Sequence, residues 1–364
     1  MTALHEIPTP ALILDLDRLE RNLRRMGDRA NSLGVAIRPH IKTHKCLEIA
    51  RMQRDLGCSG LTVSTLYEAR IFAEHGFDDL TWAFPVVLSR LEEAMHIACR
   101  VDLGLVLDSM EALTALEASG HPFRVWMKVD CGYHRAGVDP EGPMARELAH
   151  RLDDSSTLYF GGLLTHAGHA YKTDSRSELA AVAEQERSSL ARLAEALRDS
   201  GIEVPAVSVG STPTMSVVED LAGVDEMRPG NYVFYDQMQA KLRSCSIDDC
   251  AVTVLASVVS SQPGAGHCVI DAGALSLSKD SLQSDDGTSE FGEILETLPP
   301  QSPTRTARAR SLSQEHGILD SALAVGTRVQ VLPVHSCLTV ACFDEYVVVR
   351  GDQVVDRWKI WRGR

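Results

Sequence analysis

Val35-Ala-Ile-Arg-Pro-His-Ile-Lys42-Thr-His-Lys45 is a strand-like run that delivers a lysine where the next helix begins. Alternate side chains of a strand share a face, so Arg38, His40 and Lys42 are expected to point together, with Ile37 and Ile41 pointing the other way. A lysine at a strand end is ordinarily a solvated side chain. Shielded from water beside other cations, its amine loses a proton near neutral pH and can carry an aldehyde as a Schiff base. Lys42 is the better candidate for that chemistry than Lys45, which falls at the start of the following helix.

Working outward, strand-like runs at 35–42, 60–65, 79–86, 102–109, 124–131, 158–167, 206–212 and 226–235 alternate with amphipathic helical segments. That alternation is the pattern of a parallel α/β fold, and eight units predict a (β/α)8 TIM-type barrel. Helix 16–33 repeats apolar residues at Leu16, Leu19, Leu23 and Met26, and 176–199 is rich in Ala, Leu, Glu and Arg. Ala11–Asp17 is a further strand that could join either the barrel edge or a second domain. Beyond Ala240 the runs Val252–Ser260, Cys268–Asp271, Arg328–Pro333, Leu338–Ala341 and Tyr346–Arg350 are short and β-branched, which predicts an antiparallel β domain. Lys279–Arg310, dense in Ser, Asp, Gly, Pro and Thr, reads as a long loop. The expected domains are a barrel over 14–240 and a β domain over 241–364 that takes in 1–13.

The 364 residues are 44% apolar, enough for a large core, and the net charge of −14 argues against nucleic acid or an anionic membrane surface as the main partner. No run of about 18 apolar residues suggests a membrane span, and Met1-Thr-Ala-Leu-His-Glu lacks the basic and apolar regions of a signal peptide, so a cytoplasmic protein is expected. Nine cysteines without CxxC spacing fit reduced thiols better than a disulfide framework.

In such a barrel the chemistry belongs at the C-terminal ends of the strands. Lys42, Ser64-Thr65, Asp130 to Arg135, His166 to Tyr171 and Gly210-Ser211-Thr212 all fall there. The small residues Gly210, Ser211 and Thr212 can cradle a phosphate with amides and hydroxyls, and Gly230-Asn231 can do the same after the next strand. His166 and His169 are open between structural and functional roles. In the second domain His335-Ser-Cys337 places imidazole and thiol at i, i+2, one face of a strand, with the donor chemistry of zinc at distances of about 2.0–2.3 Å. Two protein ligands leave a metal open for catalysis.

Pro39-His-Ile-Lys42-Thr-His-Lys45, Asp130-Cys-Gly132, Arg135-Ala-Gly137, Gly210-Ser-Thr-Pro213, Pro229-Gly-Asn-Tyr232, Gln314-Glu-His-Gly317 and Pro333-Val-His335-Ser-Cys337, taken in series, resemble the metal-dependent D-serine dehydratase and D-threonine aldolase family. These are pyridoxal-phosphate (PLP) enzymes with an alanine racemase-like N-terminal domain. The resemblance implies that Lys42 carries PLP, that Arg135 meets its phenolic oxygen and that Tyr171 lies beside cofactor and substrate. It implies His335 and Cys337 as ligands of Zn2+ or another divalent metal such as Mn2+, a small D-amino acid as substrate, and a homodimer. Relatives with aldolase activity often carry His-x-Asp, whereas dehydratase-like ones carry His-x-Cys. The expected reaction is therefore β-elimination from a 3-hydroxy D-amino acid to a 2-oxo acid and ammonia, with Lys42 taking the Cα proton and the metal acting on the β-hydroxyl. Retro-aldol cleavage to glycine and an aldehyde is the alternative. A racemase needs no metal, and a non-catalytic PLP carrier lacks a second domain of this size; both fit less well.

Overall fold

The computed structural model describes residues 3–284, 287–298 and 307–364. It divides into two compact units, one of Arg24–Lys42, Ile49–Gly230 and Gly363–Arg364, the other of Met1–Leu23, Thr43–Glu48 and Asn231–Arg362.

The chain opens with β1 (Ala11–Asp15) and α1 (Leu16–Leu33). The barrel then runs β2 (Ala36–Ile37), α2 (Leu47–Asp55), β3 (Leu61–Val63), α3 (Leu66–Glu74), β4 (Asp79–Pro85), α4 (Leu91–Ala98), β5 (Asp102–Leu107), α5 (Met110–Ala118), β6 (Arg124–Lys128), α6 (Pro143–Asp153), β7 (Tyr159–Leu164), α7 (Arg176–Asp199), β8 (Val207–Val209), α8 (Thr212–Val217) and β9 (Glu226–Met227). Its strands form one parallel eight-stranded sheet in the order β2-β9-β8-β7-β6-β5-β4-β3. A parallel bridge from His40 to Thr62 joins the two ends of that order. Val106, Trp126 and Leu164 pack together inside, with Ala206 against them; each large side chain buried in this way contributes about 1.5–3 kcal/mol.

All eight expected barrel strands are present, and all are shorter than expected. The first ends at Ile37 because Pro39 has no amide to give and the chain then enters a 3-10 turn, Ile41–Thr43. Lys42 therefore lies in that turn and not at the strand's last residue. The shared face expected for Arg38, His40 and Lys42 also fails: Arg38 is buried and bonded to Asp79 and Glu226, whereas Lys42 is exposed. Lys45 stands two residues before α2, in the left-handed region (φ 49°).

The second unit adds α9 (Gln237–Lys241), β10 (Val252–Gln262), β11 (His267–Ile270), α10 (Ala274–Leu277), β12 (Leu282–Gln283), β13 (Ser289–Glu290), β14 (Gly292–Leu298), β15 (Ala309–Leu312), β16 (Gly317–Leu319), β17 (Arg328–Pro333), α11 (Ser336–Val340), β18 (Glu345–Arg350) and β19 (Gln353–Lys359). Its main sheet has nine strands. The pairings are antiparallel except one: β1 enters this sheet between β10 and β18 and runs parallel to β18. Leu4, Ile7, Ala11, Ile13, Leu255, Val347 and Val349 close the core beneath it.

Two expectations for this unit are overturned. The segment 279–310 is not a loop throughout: β14 pairs along β17 from Gly292 to Leu298 and β15 pairs with β16, although 285–286 and 299–306 lie outside the described residues. Leu338–Ala341 is no strand either; Ser336–Val340 form α11. Asp236 accepts hydrogen bonds from the Ser336 amide at 2.9 Å and its hydroxyl at 3.2 Å, which satisfies a donor that a helix start would otherwise leave orphaned.

Candidate active site

In the barrel unit the residues after β6, β7, β8 and β9 come together with Lys42. Asp130 shapes the first of these loops: its carboxylate accepts from the amides of Gly132 at 2.9 Å and His134 at 3.0 Å, an Asx turn that reverses the chain. Gly137 (φ 116°) closes the loop, where a Cβ would stand 2.6 Å from the Asp130 amide nitrogen, and its own amide is held by Asp108 at 2.8 Å. Between them the Arg135 guanidinium lies 5.0 Å over the Tyr133 ring. His169 stacks on the same ring at 6.2 Å, and both its ring nitrogens are buried with no partner among the described residues. Tyr171 follows in the 3-10 turn Gly168–Lys172.

The electrostatics of this mouth are one-sided. Burial, followed by the charges of Lys42, Lys128, Arg135 and Arg228, drives His166 well below the usual histidine range. Lys128, the last residue of β6 and only 7% exposed, is pushed down to about 7 by burial and by Arg228 and Arg135. Arg228 donates to the Thr165 carbonyl and to the Ser208 hydroxyl. Four cations, with Glu186 acting back on Lys128 and Glu226 and Glu186 acting back on Arg228, fit an anionic, phosphate-bearing cofactor. The orphaned His169 nitrogens are a second mark of a missing partner.

The phosphate loop is built more tightly than its composition suggests. Gly210 (φ 103°) turns the chain, but its amide is taken by Glu186 at 3.1 Å, and the Ser211 amide by the Thr214 hydroxyl at 3.0 Å. Ser211 caps α8, which starts at Thr212. Lys128, Arg228 and Glu186 are functional candidates absent from the sequence reading. The signal for the first was a lysine closing the apolar run Val125-Trp-Met-Lys128, and for Glu186 an acid on the apolar stripe of a helix.

In the other unit His335 and Cys337 meet, though not through the strand geometry expected. His335 is the extended residue before α11 and Cys337 is the second residue within it. His335 Nδ1 lies 2.7 Å from Asp280, so in the neutral ring Nδ1–H donates to that carboxylate and Nε2 keeps the lone pair. Thr43 places its hydroxyl 3.2 Å from Cys337 Sγ. Burial opposes the charged imidazole, but Cys337, Asp236 and Asp280 outweigh it and raise His335 to about 10; burial likewise opposes the thiolate, but His335 and Thr43 bring Cys337 down to about 7. Among the described residues no group of three or more His, Cys, Asp or Glu could hold a metal. The pair with its orienting carboxylate is thus a two-ligand donor set that suits a soft or borderline ion with open positions. Asn231 is committed here as well: its side-chain amide donates to Asp236 at 2.8 Å and to Ser336 at 2.9 Å. Only its backbone is left for the phosphate role expected of it.

No helix among the described residues is long and apolar enough to cross a membrane, and all nine cysteines are free thiols.

Comparison with known proteins accords with both units. Residues 14–237 match the alanine racemase N-terminal domain, and residues 251–349 match a putative serine dehydratase domain. The chain is 37% identical to D-threo-3-hydroxyaspartate dehydratase of Delftia sp. (98% of both chains) and 33% identical to D-serine dehydratase of Dictyostelium discoideum (98% and 97%). It is 30% identical to D-threonine aldolase of Arthrobacter sp. (98% and 93%). A solved structure of D-threo-3-hydroxyaspartate dehydratase, a cysteine-to-alanine mutant in the metal-free form, superposes with a TM-score of 0.93 over 100% of both chains at 37% identity. The chain belongs to the D-serine dehydratase and D-threonine aldolase family, PLP-dependent lyases built on an alanine racemase-like N-terminal domain.

Proposed function

We propose that this lyase acts on 3-hydroxy D-amino acids by β-elimination, releasing a 2-oxo acid and ammonia. The observation that carries the reading is the imidazole and thiol of His335 and Cys337, oriented by Asp280. Thiolate with imidazole favours Zn2+, with Mn2+ as the alternative, and zinc polarises a hydroxyl leaving group well. Relatives named as dehydratases and as aldolases stand at similar distances from this chain, so the choice of elimination rests on that donor set.

When bound, PLP supplies an electron sink for the substrate's Cα and the metal a Lewis acid for its β-hydroxyl. Lys42 is the proposed point of attachment and afterwards the base that takes the Cα proton. Arg135 offers a guanidinium to the cofactor's phenolic oxygen, and Tyr171 faces cofactor and substrate. Ser211 and Thr212, with the backbone of Gly230 and Asn231, hold the phosphate, while Gly210 shapes their loop. His335 Nε2 and Cys337 Sγ would hold the metal, with Asp280 fixing the imidazole through Nδ1 and leaving Nε2 for the ion. Loss of the Cα proton and of the β-hydroxyl as hydroxide, together one water, leaves an aminoacrylate, which hydrolyses to the 2-oxo acid and ammonia. A racemase would have no use for His335 and Cys337.

The test is incubation with D-serine, D-threonine and D-3-hydroxyaspartate and with the L-isomers, assaying 2-oxo acid against glycine. A 2-oxo acid from the D-isomers alone is expected, abolished by chelation and restored by Zn2+. Glycine with an aldehyde as the main product would replace elimination by retro-aldol cleavage, and full turnover in a metal-free preparation would remove the metal from the mechanism.

A further inference from the structure

Helix α7 buries Leu179, Ala183, Leu190, Leu193 and Leu197 on one stripe, and Glu186 occupies the same stripe with 0% of its surface exposed. A carboxylate in such a place costs several kcal/mol unless it is compensated, so its partners indicate what it is for. Oε1 accepts from two backbone amides, Ala167 at 2.9 Å and Gly210 at 3.1 Å. Oε2 is buried and has no hydrogen-bond partner among the described residues. A core carboxylate serving stability alone would be expected to meet a guanidinium or ammonium; this one spends its hydrogen bonds on the main chain of two loops. Ala167 opens the turn that bears His169 and Tyr171, after β7. Gly210 opens the Ser211-Thr212 loop, after the neighbouring strand β8.

We propose that Glu186 is a positioning residue: one oxygen on a long rigid helix clamps the loop after β7 to the loop after β8, and so sets the shape of the phosphate cradle. The inference rests on the assignment of Gly210–Thr212 to the cofactor's phosphate. It also explains why Gly210, with its amide already taken, contributes to the cradle by conformation and not by donation.

The test uses the full-length protein with Glu186→Asp and Glu186→Gln. Aspartate keeps the charge but is one methylene too short to reach both amides; glutamine keeps an oxygen of the same reach. Two readouts are taken: hydrogen exchange at the Ala167 and Gly210 amides in cofactor-free protein, and the dissociation constants of PLP and of pyridoxal, which lacks the phosphate. E186D should exchange faster at one or both amides and lose about ten-fold or more in PLP affinity, the effect of losing one hydrogen bond to a buried charge. Pyridoxal affinity should change much less, and E186Q should keep amide protection and the native preference for PLP over pyridoxal. Should E186D fail to fold, E186Q decides: loss of the amide protection or of the PLP preference in that variant overturns the clamp. Native preference for PLP retained in folded E186D, or equal losses for PLP and pyridoxal, refutes the inference alone. A native protein that does not prefer PLP over pyridoxal refutes the cradle assignment, and this inference with it.

Discussion

Replacing Asp280 by alanine should weaken metal binding without touching PLP. Asp280 Oδ2 stands 2.7 Å from His335 Nδ1, and the two side chains are 37% and 27% exposed. At that exposure the direct attraction is worth a fraction of a kcal/mol, as for other partly solvated pairs. The larger effect is through orientation: with Nδ1–H given to the carboxylate, the ring is held in the tautomer whose Nε2 can bind a metal. Loss of such an outer partner typically lowers metal affinity 10- to 100-fold, or about 1.4–2.7 kcal/mol. The assay is competition for Zn2+ between the metal-stripped protein and a chelating dye, with the PLP absorbance followed in parallel. D280N, whose amide oxygen can still accept from Nδ1–H, should fall near the lower end of that range. A D280A protein that binds Zn2+ within about two-fold of native, or that loses PLP along with zinc, would refute the orienting role.

Reduction of the PLP-loaded protein with borohydride should fix the cofactor on the peptide containing Lys42; a label on Lys45, or no label, would show the lysine assignment to be wrong. Burial disfavours the Asp79 carboxylate, but Arg38 and Arg124 outweigh it and hold it below the usual range. A carboxylate depressed in the folded state stabilises above its unfolded value of about 3.9 and loses that contribution as pH falls through the folded one. Asp79→Asn should therefore cost about 2 kcal/mol near neutral pH, because it leaves the buried Arg38 with Glu226 as its remaining carboxylate and takes one from Arg124. Its denaturation midpoint should converge on the native one as pH falls below the usual carboxylate range; a gap that does not narrow in acid would contradict the ion-pair account.

What could be read before the structure, and what could not, follows from the range of the forces involved. The barrel was legible because parallel strands buried on both faces leave continuous apolar runs such as Leu103–Leu107, and each is punctuated by a helix with its own periodicity. Strand ends were drawn too late where local chemistry is ambiguous: Arg38 to Lys42 looks extended, yet Pro39 removes a ladder donor and the chain turns. α11 was read as strand because Leu338-Thr-Val340 has strand-like residues; its cap, Asp236, lies 100 residues away and leaves no mark on that stretch. β14 was missed because Phe291-Gly-Glu-Ile-Leu-Glu-Thr sits in polar surroundings and becomes a strand only by pairing with β17. Lys42, His335 and Cys337 stand out as candidates through ordered motifs. Glu186 is marked only as an acid on the apolar stripe of its helix, and Asp236 and Asp280 act through partners distant in sequence, which leave no local signature.

The barrel keeps its charges in two groups that obey different rules. Asp79, Asp102, Arg124 and Glu226 open their strands and Arg38 follows β2; Arg38 bonds Asp79 and Glu226, and Arg124 bonds Asp79 at 2.5 Å and Asp102 at 3.1 Å. Each guanidinium there has carboxylate partners, so the group is complete within the protein and serves stability. At the opposite ends Lys42, Lys128, Arg135 and Arg228 act together on His166, and Lys128 falls to about 7 in that field. Glu186 offsets part of this charge, yet its hydrogen bonds go to the backbone. Like charges gathered in a partly dry mouth oppose folding unless something else compensates them. An anion bound among them would offset these repulsions, raising Lys128 and steadying Arg228. A negatively charged ligand at this end of the barrel, as a PLP phosphate and phenolate would be, would compensate that charge and could give a partner to the His169 nitrogens, which have none among the described residues.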